Sequence, residues 1–202
     1  VVVVSEQNIK LCLAQLNLLV GDISGNTRRV IEASEQALKQ GGHVIVFPEL
    51  TLTGYPPEDL LLRPSLTPRV DSALAEIKAA ALDIHIVVGY PRYIDGQLFN
   101  LAGVFYQGKC LAEYSKQELP NYQVFDEKRY FSAGSEACVI EINGVSTALS
   151  ICEDIWHEGV MAQAKKAGAS LMLNLNASPF HIDKPEHREE LLSQRALEGD
   201  MP

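Results

Sequence analysis

Three side chains in this 202-residue sequence are of types that could work on one substrate: Glu49 in VIVFPEL, Lys116 in AEYSKQELPNY and Cys152 in TALSICEDIW. Each stands at or just past the end of a run that reads as a β-strand, which is where open α/β sheets place their sites. Singly, each has an ordinary explanation. A glutamate or lysine after a strand is most often solvated, and a cysteine on a β-branched strand is most often a small buried hydrophobe. Together they supply what thiol attack on an amide requires. A thiol with a free pKa of about 8.5 is only slightly ionised at neutral pH and needs a base or a nearby cation. A carboxylate can take the proton and later pass it to the leaving nitrogen. An ammonium, with backbone N–H groups, can stabilise the charge that develops on the carbonyl oxygen by about 3 kcal/mol. No histidine falls in these windows, so a Cys–His pair would need His43, His85, His157, His181 or His187 to arrive from elsewhere in the fold, which spacing leaves open.

The elements that must position these residues are partly legible. Residues 9–17 read as a first strand, and a helix is expected from near Asn26 to the Gly41-Gly42 pair. HVIVF then reads as a buried strand that ends directly at Pro48-Glu49, closing a β-α-β unit. The segment TGYPPEDLLLRPSLTP holds four prolines and a glycine, so it is expected to be a turn-rich loop with room for a short helix at most. Val70, Ala73, Leu74, Ile77, Ala80 and Ala81 follow helical spacing and predict an amphipathic helix against a sheet. Strands are expected at IHIVVGY, at 97–106, at 109–114 and at 137–142. Asn143-Gly144 is a two-residue hairpin signal leading into VSTALSIC. A helix over 157–166, a buried strand in SLMLNLN and a polar helix over 185–198 follow. Crossover helices combined with a hairpin-linked centre predict stacked mixed sheets covered by helices, an α/β sandwich.

Composition narrows the class. Hydrophobic residues make up 47% and charged residues 21% of the chain, which fits one domain with a sizeable core. Seventeen basic against twenty-six acidic residues give a formal charge of −9, so no broad positive field is available to gather nucleic acid or an anionic membrane. No apolar run reaches the ~20 residues of a membrane span, and VVVVS is too short for a signal core, so a soluble, cytoplasmic protein is expected. Cys12, Cys110, Cys138 and Cys152 form no C-x-x-C pair, which argues against a zinc ribbon or dithiol motif and for reduced thiols without a metal.

The three windows resemble the Glu-Lys-Cys triad of the nitrilase superfamily of carbon-nitrogen hydrolases. The wording is closest to the glutamine amidotransferase domain of glutamine-dependent NAD synthetases. The blocks that carry the likeness are LAQLNLLVGDISGN, VIVFPELTLTGYPPEDLL, YSKQELPNYQVFDEKRYF, LSICEDIW and LNLNASPFHIDKPEHRE. The resemblance implies a nitrilase-like α-β-β-α sandwich and hydrolysis of L-glutamine through a thioester on Cys152. In it Glu49 is the proton acceptor and Lys116 the oxyanion partner. It further implies Glu127 as a supporting carboxylate, against the alternative of a surface acid in a charged turn. Tyr122, Ser178 and Lys184 match substrate-contacting positions, although a solvated lysine is the alternative at 184.

The resemblance also implies that the released ammonia amidates deamido-NAD in a separate ATP- and Mg2+-dependent domain, and that the protein forms homo-oligomers. No cofactor is expected in residues 1–202, which carry neither a G-x-x-x-x-G-K-[ST] loop nor an S-G-G-x-D-like signature. With no closing strand before Met201-Pro202, the chain is expected to be a C-terminally incomplete piece of a longer parent. A stand-alone amidase or carbamoylase, and a catalytically silent interaction module, are the competing readings. A further expectation is that neither Glu49 nor Lys116 belongs to the core, so alanine at either would lower turnover at least ~100-fold and leave the fold intact.

Overall fold

The computed structural model describes residues 8–179, 182 and 184–202. The chain folds as β1 (Leu11–Leu13), α1 (Ile23–Lys39), β2 (Val44–Val46), α2 (Leu66–Ala80), β3 (His85–Ile94), β4 (Gln97–Tyr106), β5 (Lys109–Ser115), β6 (Val139–Ile142), β7 (Val145–Ile151), α3 (Glu158–Lys166), β8 (Leu171–Leu175) and α4 (Lys184–Gly199). Short 3-10 turns at Glu58–Leu62, Glu127–Arg129 and Cys152–Trp156 punctuate it.

The strands form two sheets, one of order β1-β2-β3-β4-β5 and one of order β6-β7-β8. β1, β2 and β3 run parallel through the helix crossovers, while β3-β4-β5 and β6-β7 are antiparallel hairpins. Two-residue alternation distributes the apolar side chains. Ile45, Phe47, Ile86 and Val88 face α1 and α2, whereas Val44, Val46, Val87 and Val104 face the second sheet. There they meet Leu149, Ile151, Leu171, Leu173 and Leu175. The outer face of the second sheet, with Ala148 and Met172, packs on Met161 and Ala164 of α3 and on Leu191 of α4. The order of layers is therefore α-β-β-α, as the resemblance implied. Sheets covered on both faces explain why β2 and β8 read as nearly continuous apolar runs.

Several boundaries differ from the sequence expectation. β1 spans only three residues because its partner β2 pairs through Val44–Val46 and then reaches Pro48, which offers no N–H. α1 begins at Ile23, ahead of Asn26, because the Asp22 side chain accepts the Gly25 N–H at 3.0 Å and caps the helix. Asn26 is buried inside it and bonds to Leu19 and Leu52. α2 starts at Leu66, within the proline-rich segment; Pro68 is accommodated because the first turn of a helix needs no N–H there. β3 continues through Pro91 to Ile94, beyond the point where β2 pairs with it. The Asn143-Gly144 hairpin forms as expected, both residues having positive φ.

Candidate active site

Glu49, Lys116 and Cys152 come from three strand ends. Glu49 follows β2 in a tight turn in which Leu50 takes φ +49° and the Thr51 hydroxyl donates to the Pro48 carbonyl at 2.6 Å. The turn lies flat on β3, and Gly89 makes this possible. A Cβ there would stand 2.5 Å from the Leu50 nitrogen and 2.9 Å from the Pro48 oxygen. Lys116 directly follows β5; its backbone N–H donates to the Asn100 carbonyl at 2.9 Å, and its own carbonyl accepts from Gly134 at 2.8 Å. Cys152 directly follows β7 and opens a 3-10 turn at φ +45°. A non-glycine residue in that region is strained by about 1–3 kcal/mol and persists where the surroundings dictate it.

The surroundings include Asp154, fully buried two residues on. One of its oxygens accepts the N–H groups of Gln117 (3.0 Å) and Glu118 (2.8 Å), and the other accepts the Ile151 N–H and the Tyr114 hydroxyl, both at 2.8 Å. One carboxylate thus joins the Cys152 turn on the second sheet to the loop after Lys116 on the first. Sequence reasoning missed it, since nothing but its place in CEDIW marked it.

Electrostatics centre on the Lys116 ammonium. Nζ donates to Glu49 Oε1 at 2.7 Å and to both oxygens of Glu127 at 2.8 Å. Lys116 and Glu49 are each 1% exposed and Glu127 is 7% exposed. This corrects the expectation that Glu49 and Lys116 lie outside the core, and it removes the surface-acid alternative for Glu127. The ordinary solvation of a lysine is overridden because two carboxylates from distant segments meet it. Burial alone would lower the Lys116 pKa, but Glu49 and then Glu127 outweigh it and hold the ammonium above its usual range. Burial, followed by the charge of Glu49, pushes Glu127 up to about 7 against the pull of Lys116. Tyr55, hydrogen-bonded to Glu127, is raised by burial first and by Glu49 next.

Cys152 is 6% exposed. Burial and then Glu49 push its thiol up to about 12, while Lys116, the Ser178 hydroxyl at 3.4 Å and the Ala177 N–H pull the other way. The resting sulfur is therefore a thiol within electrostatic reach of one carboxylate and one ammonium, so attack must be coupled to loss of its proton. Two cavities flank the cluster. One of about 270 Å³ is lined by Tyr55, Phe125, Glu127 and Tyr130, and one of about 350 Å³ by Trp156, Asn176, Ser178 and Arg188.

Of the remaining sequence candidates, Ser178 stands beside the sulfur, and half-exposed Tyr122 donates its hydroxyl to both oxygens of Glu153 at 2.9 Å. Glu153, the residue after the thiol, was not singled out in the sequence. Lys184 opens α4, and its side chain, like His181, lies outside the described residues. The other histidines engage different partners. His43 accepts from the Lys10 N–H, His85 stacks on Tyr106, His157 approaches Glu153 at 3.7 Å and His187 packs on Trp156. Among the described residues no group of three or more His, Cys, Asp or Glu side chains could hold a metal ion, and no helix is long and apolar enough to cross a membrane.

Residues 10–202 match the family model for carbon-nitrogen hydrolases. The chain is 44% identical over 191 residues to the glutamine-dependent NAD(+) synthetase of Aquifex aeolicus, covering 93% of this chain and 33% of that protein. It is 41% identical over 199 residues to that of Xanthomonas campestris, covering 97% and 36%. It thus spans about a third of the length of these relatives. The structure of glutamine-dependent NAD+ synthetase from Acinetobacter baumannii in complex with ADP superposes with a TM-score of 0.92 at 41% identity, covering 96% of this chain and 37% of that one. An amidase from Nesterenkonia sp. superposes with a TM-score of 0.87 at 25% identity, covering 98% and 75%.

Proposed function

The chain belongs to the carbon-nitrogen hydrolase family, and from that premise we propose that it hydrolyses the side-chain amide of glutamine, with Cys152 as nucleophile, Glu49 as proton carrier and Lys116 as the cation that stabilises the oxyanion. The observation that carries the reading is one buried ammonium held between Glu49 and Glu127, whose charge acts, with that of Glu49, on the Cys152 thiol. Sγ attacks the amide carbon as its proton passes to Glu49, and the charge on the carbonyl oxygen is met by Lys116. Collapse breaks the C–N bond, Glu49 gives the proton to the departing nitrogen, and ammonia leaves a γ-glutamyl thioester. Water then attacks the thioester and yields its proton to Glu49; the C–S bond breaks, the sulfur recovers the proton, and glutamate departs. Every proton is carried by a residue of the chain, and the scheme requires no cofactor in this domain.

Glutamine is favoured over other amides by the names of the relatives and by Tyr122, Ser178 and Glu153 around the thiol, with Lys184 as a further contact. In the same reading the ammonia serves amidation of deamido-NAD by an ATP- and Mg2+-dependent domain of a longer, oligomeric, cytoplasmic parent. The chain's share of its relatives' length supports that extension. The test is ammonia release from glutamine by the complete protein and by Cys152→Ala, with hydroxylamine added to trap the thioester. The expected result is loss of both ammonia and trapped acyl group in the variant. Full turnover by Cys152→Ala would overturn the mechanism, and turnover of simple aliphatic amides with glutamine refused would move the reading to a general amidase.

A further inference from the structure

Asn100, in the middle of β4, reaches both charged members of the cluster. Its backbone carbonyl accepts the Lys116 N–H at 2.9 Å, and its side-chain amide donates to Glu49 Oε1 at 2.8 Å. Lys116 Nζ donates to the same oxygen at 2.7 Å. Oε1 therefore receives two donors, while Glu49 Oε2, equally buried, has no hydrogen-bond partner among the described residues, and neither has Asn100 Oδ1. A buried carboxylate oxygen costs free energy when left without a donor, so an arrangement that saturates one oxygen and withholds partners from the other calls for an explanation. The amide orientation is fixed by charge: turned over, it would aim a carbonyl oxygen at the carboxylate.

We infer that Asn100 is a positioning residue that clamps Glu49 by Oε1 so that Oε2 alone carries the proton between sulfur, departing nitrogen and water. The inference rests on the glutaminase reading above and deepens it by naming which oxygen works and what holds it. Asn100 does not touch the substrate amide in this account. It restricts rotation of the Glu49 carboxylate and ties that carboxylate to the strand end from which Lys116 projects, so that base and cation keep one spacing. Removing the side-chain donor frees the carboxylate to swing, and Lys116 can then engage either oxygen, including the one that must stay open. A polar residue in the otherwise apolar run LFNLAGVF, 1% exposed, is thereby accounted for.

The experiment compares the complete protein with Asn100→Leu, which keeps the side-chain bulk and lacks the donor. Glutamine hydrolysis is measured alongside the rate at which a neutral alkylating agent modifies Cys152, with exposed Cys110 as an internal standard. The expected result is a 10- to 100-fold fall in kcat with KM within about threefold. Alkylation of Cys152 should slow about tenfold relative to Cys110. A role in packing alone would leave the ratio of the two alkylation rates unchanged. If Asn100→Leu does not fold, Asn100→Ser is measured instead; its hydroxyl is too short to span to Glu49, and the same fall in kcat is expected. A folded variant with kcat within threefold of the parent, or with an unchanged alkylation ratio, overturns the inference. Retention of turnover by Cys152→Ala would instead overturn the mechanism on which it rests, so the two failures are distinct.

Discussion

The carboxylate of Asp154 accepts the backbone N–H of Glu118 at 2.8 Å, tying the turn that carries Cys152 to the loop that follows Lys116. Four donors converge on this one buried side chain; burial raises its pKa, and the bonds from Glu118, Ile151, Tyr114 and Gln117 offset that rise only in part. Asp154→Ala strands those donors. The expected loss is about 3–5 kcal/mol of stability, on the order of 10 °C in Tm, with glutamine turnover falling at temperatures where the variant is still folded. A Tm within 2–3 °C of the parent (about 1 kcal/mol for a domain of this size) would contradict the assignment.

Lys116 and Glu49 are both buried, so a substitution at either is read on the fold as well as on turnover. Lys116→Ala leaves Glu49 and Glu127 facing one another without a cation, and the midpoint of urea unfolding should fall by the equivalent of about 3–5 kcal/mol. Glu49→Gln keeps the volume, retains an oxygen for Asn100 and Lys116, and removes the carboxylate. It should fold like the parent and, on the proposed role of Glu49 as proton carrier, lose turnover by about 100-fold or more. An unfolding midpoint unmoved by Lys116→Ala would show that the ion cluster contributes nothing to the fold.

Glu127 gives the reaction a pH dependence whose sign follows from position. Its folded pKa is raised to about 7, so it binds a proton below neutrality and is charged above it. Its charge couples to Glu49, whereas the charges that act on the Cys152 thiol are those of Glu49 and Lys116. Ionised Glu127 thus favours transfer of the thiol proton onto Glu49. Turnover is expected to rise as pH increases through about 7, and Glu127→Gln should lack that rise and stay at the lower level. An identical inflection in Glu127→Gln would assign it to another group.

Gly89 can be tested by one methyl group. In Gly89→Ala the added carbon meets the backbone of the Pro48-Glu49-Leu50 turn at 2.5–3.1 Å, and backbone yields less readily than a side-chain tip. The turn must lift from β3, at a cost of about 1–3 kcal/mol, and carry Glu49 with it. Turnover should drop at least ~10-fold with KM little changed. Unaltered kinetics in a folded Gly89→Ala protein would mean that the turn has room the structure does not display.

The layers and the strand ends that carry the reactive residues were legible because hydrophobic alternation, Gly41-Gly42 and Asn143-Gly144 are local signals. The matching blocks then singled out Glu49, Lys116 and Cys152. Burial was not legible. Nothing in AEYSKQELPNY distinguishes a lysine sunk between two carboxylates from one in water, because the carboxylates come from residues 49 and 127. Asn100, Asp154 and Gly89 were missed for the same reason: each acts through a partner far away in the chain, and their letters are ordinary for a strand, a turn and a strand. Helix starts were misjudged where a cap or a first-turn proline decided the matter, as at Asp22 and Pro68.

The cluster straddles two sheets that share no strand pairing: Glu49 and Lys116 hang from one, Cys152 from the other. They register on an apolar surface where Val46, Val87 and Val104 face Leu149, Ile151 and Leu173. Apolar contact resists separation more strongly than it resists sliding. A slip of about 1 Å between the layers would leave every ladder intact yet can cost on the order of 100-fold in rate. A volume change at Val104 or Leu149 should therefore announce itself as a slow enzyme before it announces itself as an unstable one. For this molecule, turnover is the finer gauge of how its two halves are aligned.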